Sequence, residues 1–138
     1  MAGTVSRQTY RASEEYNEAD YIIVAGSFET NGATGNEPVN IRGKGFTVVD
    51  GGVTGVYDVT FSNPYPMQVS MVVTVEGDAA STLEDLAAQV GAYNSTTGVQ
   101  EILTYDVVAT PALTAGNGPR VSFVAYFHKR NSLSITHA

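Results

Sequence analysis

Residues 55–77, GVYDVTFSNPYPMQVSMVVTVEG, hold two alternating runs separated by Asn63-Pro64-Tyr65-Pro66. In the first run Tyr57, Val59 and Phe61 fall on one side of an extended chain, with Asp58 and Thr60 on the other. In the second, Val69, Met71, Val73 and Val75 share a side, opposed by Gln68, Ser70, Thr74 and Glu76. Alternation at period two is the signature of a strand with one buried face. Proline fixes φ and lacks an N–H, so the tetrapeptide ends the first ladder and starts a hairpin or a sheet corner. Nothing in the stretch is chemically reactive, which makes the sheet surface itself a candidate for the working part.

Outward from this segment the same texture continues. Tyr21 to Phe28, YIIVAGSF, is an apolar run of strand length expected to be buried on both faces. It ends in a loop of glycine and asparagine, 31–36. Val39 to Ile41 can add a short edge strand after Pro38, and Gly45 to Val49 reads as a strand turning at Asp50-Gly51-Gly52. Val99, Glu101, Leu103 and Tyr105 alternate with Gln100, Ile102, Thr104 and Asp106, following a turn over 94–98. Residues 111–119 read as loop, and Val121, Phe123, Ala125 and Phe127 form the apolar side of a late strand.

Residues 83–93, LEDLAAQVGAY, fit two patterns. Thr82 and Asp85 resemble a capping box, with Leu83, Leu86, Ala87 and Val90 at helical spacing. Leu86, Ala88, Val90 and Ala92 also alternate, and Gly91 weakens a helix by about 1 kcal/mol relative to alanine. About eight short strands separated by turn clusters predict an all-β fold, an antiparallel β-sandwich of jelly-roll-like type. The expected organisation is a polar N-terminal arm over 1–20 and a single sandwich domain over 21–138. The leader carries Glu14, Glu15, Glu18 and Asp20 and is either solvated or an arm that orders against a neighbouring subunit.

Composition bounds the chemistry. The 138 residues fit one domain, with 43% hydrophobic and 15% charged residues, and the absence of cysteine rules out disulfides and thiolate metal sites. Seven basic against fourteen acidic residues give a net charge of −7, and 128–130 is a lone short basic run, so nucleic-acid binding is not expected. No apolar stretch approaches the ~20 residues of a membrane span, and no signal-type segment opens the chain, so synthesis and retention in a cytoplasm are expected.

No catalytic, cofactor-binding or metal site is predicted. His128 and His137 lack convergent ligands, there is no G-x-S-x-G, and Gly43-Lys44-Gly45 and Gly51-Gly52 lack the phosphate-loop frame. Asp58 and Glu76, on outward positions of adjacent runs, are the one carboxylate pair that can approach, with Glu84, Asp85 and Glu101 as further acids. Asp78 and Asp106 sit on loops where calcium could bind, without an EF-hand pattern. Tyr57, Phe61, Phe123 and Phe127 have inward phase. Tyr65, Tyr93, Tyr105 and Tyr126 suit protein contacts, because the ring buries area while the hydroxyl stays wet.

The succession GVYDVTF at 55–61, the Tyr65-Pro66 corner, AQVGAY at 88–93 and VSFVAYF at 121–127 resembles head decoration, or cement, proteins of tailed bacteriophages. The likeness covers about 45–130. The same signature is similar in architecture to the trimeric jelly rolls of the C1q and tumour-necrosis-factor group. The resemblance implies a strand over about 86–93, a turn over 78–84 and a homotrimer on the capsid exterior. It also implies a major capsid protein as partner, assembly in a host cytoplasm, and no nucleic acid, membrane, small-molecule substrate or cofactor. Interface residues expected on this reading are Tyr10, Tyr16, Tyr65, Val72, Tyr93, Val124 and Tyr126. The alternative from the same residues is a receptor- or carbohydrate-binding knob of a tail fibre or spike, using loops 31–36 or 94–98.

Overall fold

The computed structural model describes residues 21–32, 35–77, 86–107, 112–114 and 117–128. The leader with Tyr10 and Tyr16, the expected turn over 78–84, Asp78, Glu84, Asp85 and His137 lie outside the described residues. Eight strands form: β1 Tyr21–Asn31, β2 Val39–Gly43, β3 Phe46–Asp50, β4 Val56–Phe61, β5 Met67–Glu76, β6 Leu86–Asn94, β7 Val99–Asp106 and β8 Asn117–His128. They build two four-stranded antiparallel sheets, ordered β2-β1-β8-β5 (sheet A) and β3-β4-β7-β6 (sheet B). The expected all-β antiparallel sandwich is therefore the fold, and residues 86–94 are strand.

The prolines at 64 and 66 settle the opening question as a corner. β4 belongs to sheet B and β5 to sheet A, where β5 pairs with β8. As in a jelly roll, the first strand lies beside the last and β4 beside β7, whereas β2, β3, β5 and β6 have other neighbours here. Asp50 to Gly55 instead forms a true hairpin turn between β3 and β4, closed by Gly51 N–H to the Val56 carbonyl at 2.9 Å.

The core lies between the sheets. Phe28, Tyr57, Val59, Phe61, Ile102, Val121, Phe123 and Phe127 are buried there, and aromatic rings meet edge-on, Phe61 on Phe127 at 4.7 Å and Phe46 on Phe123 at 4.9 Å. Such pairs add about 0.5–1.5 kcal/mol each beyond area burial.

Four register shifts interrupt the ladders, one of them between β1 and β2, and the other three correct the simple alternation. At β5 the register slips between Gln68 and Ser70, so Gln68 turns inward and Val69 stands 52% exposed, the reverse of the sequence expectation. At β6 it slips between Val90 and Tyr93, where Gly91-Ala92 oppose Glu101 alone. At the start of β8, Gly118-Pro119 oppose Thr30 alone. That last bulge lets strand begin at Asn117, within the stretch expected to be loop, because a proline there forfeits no ladder bond. A fourth correction concerns β1. Val24 and Phe28 are buried but Ile23 and Ala25 are exposed, since among the described residues no layer covers the outer face of sheet A.

Candidate functional site

The outer face of sheet A divides into an apolar half and a polar half, and the register shows how. Ile23 pairs with Tyr126, and Tyr126 with Ser70; Ala25 pairs with Val124, and Val124 with Val72. Directly opposed side chains on one sheet face are neighbours. Ile23 (63% exposed), Val72 (55%) and Tyr126 (37%), with half-buried Val124 between them, make one uncharged patch across three strands.

The next rows are polar. Ser27, Ser122 and Thr74 follow, then Glu29, Arg120 and Glu76. Arg120 Nη2 lies 2.8 Å from Glu29 Oε1, and its Nη1 donates to Ser27 Oγ at 2.9 Å and to the Asn40 carbonyl at 3.1 Å. Asn40 Nδ2 donates to the other Glu29 oxygen. That bond, and the Arg120 bond and charge, hold the Glu29 carboxyl below its usual range, against the opposing pull of desolvation. This network fastens β2 to the sheet and borders the apolar half.

Of the residues expected at an interface, the structure brings together Val72, Val124 and Tyr126. Tyr65 and Tyr93 lie elsewhere, half-buried with rings on Phe127 at 5.0 and 5.4 Å, and the Tyr93 hydroxyl donates to the Tyr65 carbonyl at 2.6 Å. Burial first, and then Tyr65, push the Tyr93 phenol up. These two rings extend the core and have little surface to offer a partner. Ile23 was not singled out from sequence because the run 21–28 reads as apolar on both faces.

Sheet B presents a different surface. Asp58 and Glu101 are direct cross-strand partners on its outer face. Burial, then the charges of Glu101 and Asp50, push the Asp58 carboxyl above its usual range. Both acids line an open depression of about 640 Å³ with Ala92, Tyr93, Asn94, Ser95, Thr97 and Val99. Asp58 and Glu76, expected to approach one another, stand on different sheets, because the Pro64–Pro66 corner separates their strands. Asp106 Oδ1 accepts the Ala112 N–H at 2.7 Å, a loop contact. Among the described residues no three His, Asp or Glu side chains cluster as metal ligands would.

The buried polar residues of the inner faces were also not anticipated. Gln100 Nε2 lies 2.9, 3.1 and 2.9 Å from the carbonyl oxygens of Gly91, Ala92 and Glu101, its two hydrogens shared among the three, while its Oε1 accepts from Gln68 Nε2 at 2.6 Å. The amide so fixes the β6 bulge and ties sheet B to sheet A. Thr104 Oγ1 lies within hydrogen-bond distance of the Gly55 carbonyl (3.2 Å) and of the Thr114 carbonyl, which share its single hydroxyl hydrogen.

Fold and surface define a small antiparallel β-sandwich with a charge-free apolar half on one outer sheet. Comparison with protein-family models, with curated proteins and with solved structures finds no match to this chain.

Proposed function

We propose that this chain is a structural virion protein of the decoration type, docking the apolar half of sheet A on the major capsid protein at the outside of a phage head. The observation that carries the reading is the patch of Ile23, Val72, Val124 and Tyr126, an exposed apolar area bordered at one end by the polar rows and the Arg120 network. An exposed, uncharged patch with a tyrosine at its side suits another protein surface better than a small ligand. The partner is supplied by the sequence resemblance. Many copies on one shell let modest single contacts act together through avidity. Residues 1–20 are the proposed arm over a neighbouring capsid subunit, where contacts on docking must exceed an ordering cost of roughly 1–2 kcal/mol per residue.

Cosedimentation with expanded empty capsids tests this. The full chain is expected in the pellet, Val72→Lys in the supernatant although folded, and a chain lacking residues 1–18 folded but unable to occupy the shell. Full pelleting of Val72→Lys defeats the sheet A reading, and full pelleting of the truncated chain defeats the arm.

The receptor-knob reading has one observation in its favour, the depression beside Asn94, Ser95 and Thr97. The tyrosine available there for stacking on a sugar is Tyr93, whose ring is already engaged with Phe61 and Phe127. Binding of the protein to host cells or glycans, with none to heads, would favour it.

A further inference from the structure

No residue of β2 is buried, and its two apolar side chains, Val39 and Ile41, stand 40% and 45% exposed. Within sheet A the strand pairs with β1 alone, through Gly26 with Gly43, Ser27 with Arg42 and Glu29 with Val39. At the shift between the last two pairs, Asn40-Ile41 oppose Phe28 by themselves. Asn40 has φ of +49°, a left-handed value that asparagine tolerates and that breaks the ladder. Both ends of the strand are anchored. Pro38 is buried, and the Glu37 Oε2 beside it accepts the Asp50 N–H at 3.0 Å. Gly43, at φ +122°, packs against the Phe46 ring, which also fills the place of a Cβ on Gly26.

Between those anchors the strand is held chiefly by polar contacts. Glu29 accepts from Arg120 and from Asn40 Nδ2, and Arg120 Nη1 donates to the Asn40 carbonyl, so one carboxylate and one guanidinium clasp the middle of β2 from β1 and β8. A segment with little buried apolar area and solvent-exposed hydrogen bonds opens at a fraction of the global unfolding free energy. We infer that Val39 to Arg42 is a strap that lifts off β1 as one unit while both sheets stay folded, released by acid and governed by the Glu29–Arg120–Asn40 clasp. Lifting it bares the β1 backbone between Gly26 and Glu29, which turns a covered strand edge into one that can accept another strand.

The direction with pH follows from the groups around Glu29. Asn40 and Arg120 hold its carboxyl below the usual range, desolvation opposes them, and Arg42, exposed on β2, pulls the same way as Arg120. Glu76 of β5, cross-strand from Arg120, is the other carboxylate on that row, and protonating it removes none of the bonds to β2. Glu37 binds at the anchor and not at the clasp. A carboxylate whose folded value is lowered stabilises the closed form at neutral pH, and that contribution is lost as pH falls through the folded value. The strap therefore opens rarely at neutral pH and often in acid. This holds whatever surface sheet A docks on.

Native-state hydrogen exchange of the full chain, followed amide by amide by NMR, tests the strap. The protected amides of 39–43 should share one opening, at least about a hundredfold more frequent than the opening that limits 121–127 in β8. Equal protection of the two segments overturns the inference. Glu29→Gln keeps the side-chain size and removes the charge. It should speed exchange in 39–43 at neutral pH by at least about threefold, the scale of a partly exposed ion pair, and leave 121–127 unchanged. The gap between this variant and wild type should close as pH falls to about 3, where wild-type Glu29 takes up its proton. A gap that stays constant refutes release by acid. Asn40→Gly, which keeps the positive φ and deletes the amide that donates to Glu29, should speed exchange in the same segment. Unchanged exchange of 39–43 in both variants defeats the clasp, and equal acceleration of 121–127 shows global unfolding and defeats the strap. Capsid cosedimentation is scored separately, so failure of the strap and failure of capsid docking are distinguishable.

Discussion

Gln100→Leu is the substitution that probes the packing logic most directly. Gln100 is fully buried, and its amide meets the carbonyls of Gly91 and Ala92 in the β6 bulge as well as the Gln68 amide from the opposite sheet. Leucine has nearly the same volume, so no large cavity opens. What is lost is polar pairing. The Gln68 amide is left half-buried without its acceptor, and the Gly91 carbonyl loses its donor, at about 1–3 kcal/mol for each buried orphan. The Ala92 carbonyl belongs to an exposed residue and recovers part of its loss in water.

Against this, leucine gains about 1 kcal/mol of apolar burial over glutamine. The net expected loss is about 2 kcal/mol, which for a chain of this size lowers Tm by about 6–10 °C. Urea unfolding followed by tyrosine fluorescence measures it. Gln68→Leu alone is expected to cost about 1 kcal/mol, and the double variant less than the sum, because one bond is counted in both singles. A neutral or stabilising Gln100→Leu, or strict additivity in the double variant, would refute the claim that this amide pair joins the sheets.

Three further outcomes are expected. Asp58→Asn should stabilise the protein by about 0.5 kcal/mol at neutral pH, the scale of a like-charge cross-strand pair. Since the folded-state pKa of Asp58 is raised, wild-type stability falls as pH rises through that value, and the advantage of the variant should vanish at acidic pH; urea midpoints from pH 4 to 8 check this. Gly55→Ala should cost about 3–5 kcal/mol by thermal unfolding, because φ is +77° and the added Cβ would lie 2.7 Å from the Thr104 and Thr114 carbonyl oxygens. Val72→Lys should leave the urea midpoint within about 0.5 kcal/mol of wild type, as a position 55% exposed allows.

Much of this architecture is legible in local sequence, for a physical reason. Period-two alternation places Tyr57, Val59 and Phe61 on one side of β4 and Val121, Phe123 and Phe127 on one side of β8, whatever their partners. Pro64 and Pro66 likewise end a ladder through their own covalent geometry. Alternation does not say which side faces inward when both sides hold apolar groups. In β7 the buried side is Gln100, Ile102 and Thr104, while Val99 and Leu103 stay half-exposed, a choice made by the Gly91, Ala92 and Gly55 carbonyls that meet those polar side chains.

The candidate site divides in the same way. Val72, Val124 and Tyr126 are outward by strand phase, so sequence could name them, but their contiguity with Ile23 arises from β1 and β5 flanking β8. Tyr65 and Tyr93 look alike in sequence as strand-end aromatics, yet the β6 bulge and the proline corner turn both towards Phe127. Sequence by itself determined where the chain is extended and where it must turn, because those follow from side-chain period and backbone chemistry within a few residues. Tertiary structure decided which sheet each strand joins and which residues meet across β1, β8 and β5, because those depend on hydrogen bonds between segments more than a hundred residues apart.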